Sequence, residues 1–304
     1  MCLPVGPFAE VQMIPSAFDY IAPQTLDEAL RALADHGEEA KLLAGGHSLL
    51  PLMKLRLANP KLLIDLRKIP GLTEIRQEKD RIIVGALATH YQIESSELLK
   101  RKCALLPQTA CMIGDVQVRN RGTIGGSLSH ADPAADWPAA ILALSADLKL
   151  RGSKGERWVA AEEFFLGPMS TAVEPTEILT EISVPALERR YGSAYLTMTQ
   201  QASGFAIVGV AVWLKVVGQK CEGIGIGVTG LSDKPFRARA VEDRLRGKKL
   251  TPKLIEESAS QIANGIDPLA DLHASGEFRA HLARVYTARA IREAAQRAVG
   301  SRKT

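Results

Sequence analysis

The stretch that most constrains the fold runs from Ala40 to Leu66 and reads AKLLAGGHSLLPLMKLRLANPKLLIDL. A short apolar run (40–44) meets Gly45-Gly46-His47-Ser48, then an amphipathic segment, then a second apolar run (62–66). This order predicts a buried strand, a tight turn, a helix over 49–57 and a second strand, with the glycines at the carboxyl end of the first strand. Pro51 fits only in the first turn of that helix, where a missing N–H does no harm. Gly45 and Gly46 allow backbone angles closed to other residues and let another group approach the main chain. Ser48 is expected to cap the helix, whose first amides are unpaired and carry partial positive charge. Amides of that kind suit a phosphate.

A second segment, RNRGTIGGSLSHADPAADWPAAILAL (119–144), repeats the arrangement around Gly125-Gly126. One glycine turn is common in ordinary α/β domains. Two such turns, each after an apolar residue and before a helical stretch, suggest loops closing on one extended anion through their amides. A dinucleotide pyrophosphate fits that description.

Other patterns reduce to simpler readings. Gly225, Gly227 and Gly230 match G-x-G-x-x-G, but they alternate with Ile224, Ile226 and Val228, so the segment is itself a strand and not a Rossmann turn. No G-K-[ST] follows either Gly-Gly pair, which excludes a P-loop. His130, Asp132 and Asp136 lack the companions a metal site needs, and Asp132 before Pro133 reads as a helix start. The Asp136 carboxylate is suited to accept from ribose hydroxyls. No G-x-S-x-G and no triad order is present, so no catalytic residue is assigned. His47 beside Ser48 reads either as an acid–base group or as a polar turn residue packed near a ligand.

Along the remaining chain, Thr25-Leu-Asp-Glu28 is read as a capping box opening a helix through Ala34. Strands are expected over 81–87 and 177–185, with helices over 91–100, 107–112 and 134–144. The character then changes to three successive strands (192–203, 205–217, 221–231), an antiparallel meander. Helices over 237–246, 252–264 and 277–299 follow. A boundary is placed between 185 and 192, and 300–304 is read as a mobile tail.

With 304 residues, 46% of them hydrophobic, the chain has material for two domains. Its net charge of +4 is scattered, and Glu242 and Asp243 interrupt the densest basic stretch, so no nucleic-acid face is expected. The 4 cysteines form no C-x-x-C pair, which excludes an Fe–S cluster held by this chain alone and fits free thiols in a reducing compartment. The first residues lack the basic start and apolar core of a signal peptide, and the longest apolar run, 205–214, is half a membrane span. A soluble, cytoplasmic protein with no transmembrane segment is expected.

KLLAGGHSLLPLMKLRLANPKLLIDL, QVRNRGTIGGSLSHADPAADWPA, EILTEISVP and GFAIVGVAV resemble, in order, motifs of the FAD-binding medium subunit of molybdenum hydroxylases. The likeness runs from about Ile14 to about Arg297 and leans toward the carbon monoxide dehydrogenase flavoprotein subunit, with the xanthine dehydrogenase flavin domain more distant. It implies an α+β chain: a two-subdomain FAD-binding domain of the vanillyl-alcohol-oxidase (PCMH) type over 13–188, then a small α/β C-terminal domain over 189–299 with a three-stranded antiparallel sheet plus helices. It also implies that Ala44, Gly45, Gly46, His47, Ser48 and Leu49, with Thr123, Ile124, Gly125, Gly126 and Ser127, wrap FAD at its pyrophosphate. Asp136 stands where the family has an aspartate that contacts the cofactor, Leu179 packs near the flavin, and Tyr195 matches a family tyrosine.

In that family a large subunit carries molybdopterin, a small one carries two [2Fe–2S] clusters, and the flavin passes electrons to an acceptor, in a dimer of heterotrimers. The substrate and the acceptor stay open. Thr197, Gln201 and Gly204 depart from the family's usual lysine, arginine and aspartate, which bears on the flavin's redox tuning. MIPSAFDY, from Met13, resembles a family N-terminus, so both Met1 and Met13 stand as starts. The alternative function is a self-contained FAD oxidase with flavin attached covalently at His47. A third is an NAD-binding or scaffold protein whose glycines only make turns.

Overall fold

A computed structural model describes residues 13–187 and 191–300. Cys2, the N-terminal stretch read for a signal peptide, the 188/189 boundary and residues 301–304 of the tail lie outside the described residues. Gly300 closes the last helix, Gly276–Gly300, and so is not part of a tail.

The expected strand–turn–helix–strand unit is present as Ala40–Leu43, Leu49–Lys54 and Leu62–Asp65. The two strands pair in parallel, Ala40 opposite Leu62, and Asp19–Ile21 adds in parallel on the other edge. Helix Leu26–His36 covers this sheet by burying Ala29, Leu30 and Leu33 against Leu62 and Ile64. Thr25 accepts from the Glu28 amide, but the Glu28 carboxylate reaches back to the Gln24 N–H, so the capping box is not reciprocal there.

A five-stranded antiparallel sheet follows, in the order Ile75–Glu78, Arg81–Gly85, Ile178–Pro185, Asp147–Gly152, Gly155–Ala160. The expected helix over 91–100 is two, His90–Ser95 and Glu97–Lys102, because Ser96 leaves helical angles (ψ 114) and its hydroxyl caps the second. The helix expected from 134 starts at Trp137: Asp132 Oδ1 accepts from the Ala134 amide and closes a turn, and Pro138, not Pro133, occupies the first helical turn.

The meander is Tyr191–Thr199, Ala206–Val217 and Lys220–Thr229, extended by a short fourth strand, Phe236–Arg237. The sheet is therefore four-stranded, one more than expected. Gly225 and Gly227 lie inside the third strand, as the alternation required. A Cβ on Gly227 would sit 1.9 Å from the Ala139 carbonyl oxygen, so these glycines let helix Trp137–Ala143 lie directly on the strand. Helix Gly276–Gly300 covers the other side through Ala283, Ala290, Ile291 and Ala294. The largest core is continuous across the two halves, since it includes Trp137, Leu179, Tyr195 and Ala211.

Candidate functional site

The fold brings the two glycine turns together. A Cβ on Gly45 would stand 2.2 Å from the Arg121 carbonyl oxygen and 2.9 Å from Gly122 Cα, so the first loop lies backbone to backbone on the residues preceding the second. The Ala44 Cβ is 3.7 Å from where a Cβ on Gly126 would be. Gly46 has φ +77°, the left-handed region that favours glycine.

The two loops use their amides differently. Among the described residues, the N–H groups of Gly45, Gly46, His47, Ser48 and Leu49 have no acceptor; the first bond of the turn runs from the Leu50 amide to the Gly46 carbonyl. Ser48 does not cap the helix: its backbone is already helical (φ −100°, ψ −49°), and its hydroxyl makes no capping bond. The expected cap is thus corrected: of the positions a capping hydroxyl would reach, Leu50 already donates to Gly46 and Pro51 has no N–H. In the second loop the Ile124 and Gly125 amides donate to the Ala88 and Ala86 carbonyls, and those of Gly126 and Ser127 donate to Thr123. Thr123, extended at φ −119°, is the cap of helix Ile124–His130. The expectation that both loops offer free amides therefore holds for the first only. Gly125 and Gly126 supply closeness: a Cβ on Gly125 would meet the Ala86 Cβ at 2.5 Å.

Leu179 adjoins this wall. The Ala86 amide donates to the Thr180 carbonyl, and Leu179 is buried beside it. Asp136 and Tyr195 form a separate buried pair at the seam between the halves. The Tyr195 hydroxyl donates to Asp136 Oδ1 at 2.5 Å. Burial pushes the Asp136 carboxyl up to about 7, against the lowering effect of that hydrogen bond. Burial and the neighbouring carboxylate together raise the Tyr195 hydroxyl well above its ordinary value. Three carbonyls ahead of Asp136 are held by the second half: Thr229 Oγ1 donates to Pro133 and Ala135, the Ala206 amide to Ala134 and the Gly230 amide to Pro133.

His47 is exposed, with Nδ1 3.2 Å from the Gly45 carbonyl oxygen. Sequence reasoning missed His90, which is 4% exposed, lies against Gly122 and accepts from Trp137 Nε1 at Nδ1 (3.1 Å). Burial first, then His47 and Arg119, push its pKa down to about 4, so it is neutral. The signal was present: Thr89-His-Tyr-Gln92 is the capping box that this fold does close reciprocally. Arg121 also went unremarked; it forms no ion pair among the described residues. Thr197, Gln201 and Gly204 place no charge in their hairpin; Thr197 Oγ1 donates to the Val208 carbonyl, and Gly204 takes φ +75°. Among the described residues no group of three or more His, Cys, Asp or Glu side chains is arranged to hold a metal. No helix among them is long and apolar enough to cross a membrane.

Residues 16–187 match the family profile described as the FAD binding domain in molybdopterin dehydrogenase, and residues 193–294 match the CO dehydrogenase flavoprotein C-terminal domain. The chain belongs to this family. It is similar to the glyceraldehyde dehydrogenase medium chain of Sulfolobus acidocaldarius, 37% identical over 93% of this chain and 100% of that one. It is 38% identical to the carbon monoxide dehydrogenase medium chain of Hydrogenophaga pseudoflava, over 93% of this chain and 98% of that one. A solved structure of carbon monoxide dehydrogenase from Hydrogenophaga pseudoflava superposes with a TM-score of 0.91 at 39% identity, covering 93% of this chain and 99% of its counterpart. The chain is thus an FAD-binding flavoprotein component of an oxidoreductase, of the carbon monoxide and xanthine dehydrogenase type. The geometry suits the cofactor: open amides at Gly45–Leu49 face a demand for donors to phosphate, and side-chain-free glycine backbone allows close approach.

Proposed function

We propose that this medium subunit is the electron-transfer element of a molybdenum hydroxylase. It takes electrons from [2Fe–2S] clusters on a small partner subunit and passes them to an external acceptor, while a large molybdopterin subunit oxidises the substrate. The observation that carries the reading is the row of open amides from Gly45 to Leu49, within a family match that spans nearly the whole chain. Bound flavin supplies the chemistry, since it exchanges electrons singly or in pairs and so joins one-electron clusters to a two-electron acceptor.

The residues of this chain bind and orient. Ala44 to Leu49 hold the pyrophosphate through main-chain donors; Thr123 to Ser127 form the close wall opposite; Leu179 gives the flavin an apolar neighbour; Asp136 and Tyr195 fix the seam beside it. The two working units are 13–188 and 189–299, a division supported by the change from the five-stranded sheet to the meander. The assembly we propose is a dimer of heterotrimers in the cytoplasm. Relatives of near-equal identity carry the names of glyceraldehyde and carbon monoxide dehydrogenases, so the substrate class is set by the large subunit.

The test is titration of the apo-chain with FAD, followed by flavin fluorescence, for wild type and for Gly→Val pairs at 45/46 and at 125/126. Wild type is expected to bind at about micromolar affinity or tighter, and each pair to abolish binding while circular dichroism reports a folded chain. A wild-type chain that ignores FAD both alone and with its partner subunits would overturn the proposal.

A further inference from the structure

We infer that His90 is a positioning residue for the phosphate loop: its imidazole, held in one orientation by Trp137, sets the level of Gly122, on which Gly45 rests. The inference rests on the FAD reading above and adds a residue that neither glycine motif contains.

The stack can be followed atom by atom. Thr89 and Gln92 close a reciprocal capping box (Thr89 amide to Gln92 Oε1, 2.8 Å; Gln92 amide to Thr89 Oγ1, 3.2 Å), which fixes the backbone at His90. The His90 amide donates to the Gly122 carbonyl at 3.0 Å. Indole N–H only donates, so the Trp137 bond makes His90 Nδ1 the acceptor and leaves the proton on Nε2. Nε2 and Cδ2 are the ring atoms facing Gly122: a Cβ there would meet them at 2.6 and 2.9 Å. Gly122 in turn meets Gly45: a Cβ on Gly45 would stand 2.9 Å from Gly122 Cα and 2.2 Å from the Arg121 carbonyl oxygen. Imidazole, Gly122 and Gly45 are therefore in successive direct contact with no side chain between them. Close-packed contacts transmit displacement, so the ring's position becomes the position of the Gly45–Leu49 amides. The ring is backed in turn by Trp137, whose neighbour Asp136 is tied to Tyr195 of the second half.

The experiment compares FAD titrations and thermal unfolding midpoints of the full chain for wild type, H90A, H90Q, G122A and H90A/G122A. Gly122 has φ −58° and ψ 141°, angles open to alanine, so G122A fails only through its methyl. That methyl pushes on the imidazole, and H90A leaves a void behind Gly122; each is expected to weaken FAD binding at least about tenfold. In the double variant the methyl enters the space the ring vacated, and affinity returns to within a few-fold of wild type. H90Q, which keeps an acceptor for Trp137 and an N–H, retains most of the affinity. A residue that merely stabilised the core would give additive losses in the double variant and would track the unfolding midpoint. Wild-type affinity in H90A, or a double variant no tighter than G122A, overturns the inference and leaves the FAD reading standing. A wild-type chain that ignores FAD both alone and with its partner subunits overturns both.

Discussion

A methyl group on Gly45 has nowhere to go, because the atom it meets at 2.2 Å is a main-chain carbonyl that cannot rotate away. Gly45→Ala is therefore expected to abolish FAD binding in a fluorescence titration, and H90A should not rescue it. Gly46→Ala fails for another reason, the left-handed φ of +77°, and should cost about 1–2 kcal/mol of stability in a denaturant melt. Asp136 gives a pH signature. Its carboxyl titrates near 7 in the folded chain against 3.8 ordinarily, so between those values the folded state holds a proton the unfolded state has lost. Stability from this group is full below pH 4 and is lost as pH rises through 7, by up to about 4 kcal/mol. Asp136→Asn should remove that fall, read as the difference between the two unfolding free energies from pH 4 to pH 8. At His47, acid denaturation should release the yellow colour from the chain; colour that stays with the protein would favour the covalent-flavin alternative.

Among the elements, helix Trp137–Ala143 makes one of the two most exacting contacts, matched by helix Gly276–Gly300 at Gly192. The Ala139 carbonyl oxygen occupies the place of a Gly227 side chain, so Gly227→Ala should destabilise by about 1–3 kcal/mol, seen as a lower unfolding midpoint. The elements the sequence disclosed are those whose pattern is written locally. The strand–glycine–helix–strand unit and the meander both announce themselves through apolar runs bounded by turn residues. Asp19–Ile21 could not, because all of its residues are exposed and it is a strand only by pairing with Leu62–Asp65. The hairpin of Asp147–Gly152 and Gly155–Ala160 was hidden for a similar reason: its alternation is carried by Leu148, Leu150 and Val159 amid charged residues. For the site, spacing revealed that two glycine turns exist. Which of them keeps its amides is decided by a distant partner, the Ala86 and Ala88 carbonyls, and no local pattern records that choice. The Thr89–Gln92 capping box marks where the helix starts but gives His90 at its first position no role; that comes from the glycine it meets some thirty residues later.

For the whole molecule, the largest core, which crosses the seam, and the buried Asp136–Tyr195 bond couple the halves. FAD at a hundredfold excess over its dissociation constant should stabilise the chain by about 2.7 kcal/mol, and calorimetry should show both halves shifting in a single transition. Two separate transitions, only one of them moved by FAD, would contradict that coupling. The seam has a further consequence for recombination. Three successive carbonyls before Asp136 are gripped by Thr229, Ala206 and Gly230, while the chain itself passes between the halves fifty residues later. A hybrid joined there to a relative's second half would look well cut in sequence. It would still inherit foreign clasps on the turn that leads from the second glycine loop into the seam helix. Exchange between relatives will succeed where the crossover partners match at 206, 229 and 230, whatever their overall likeness.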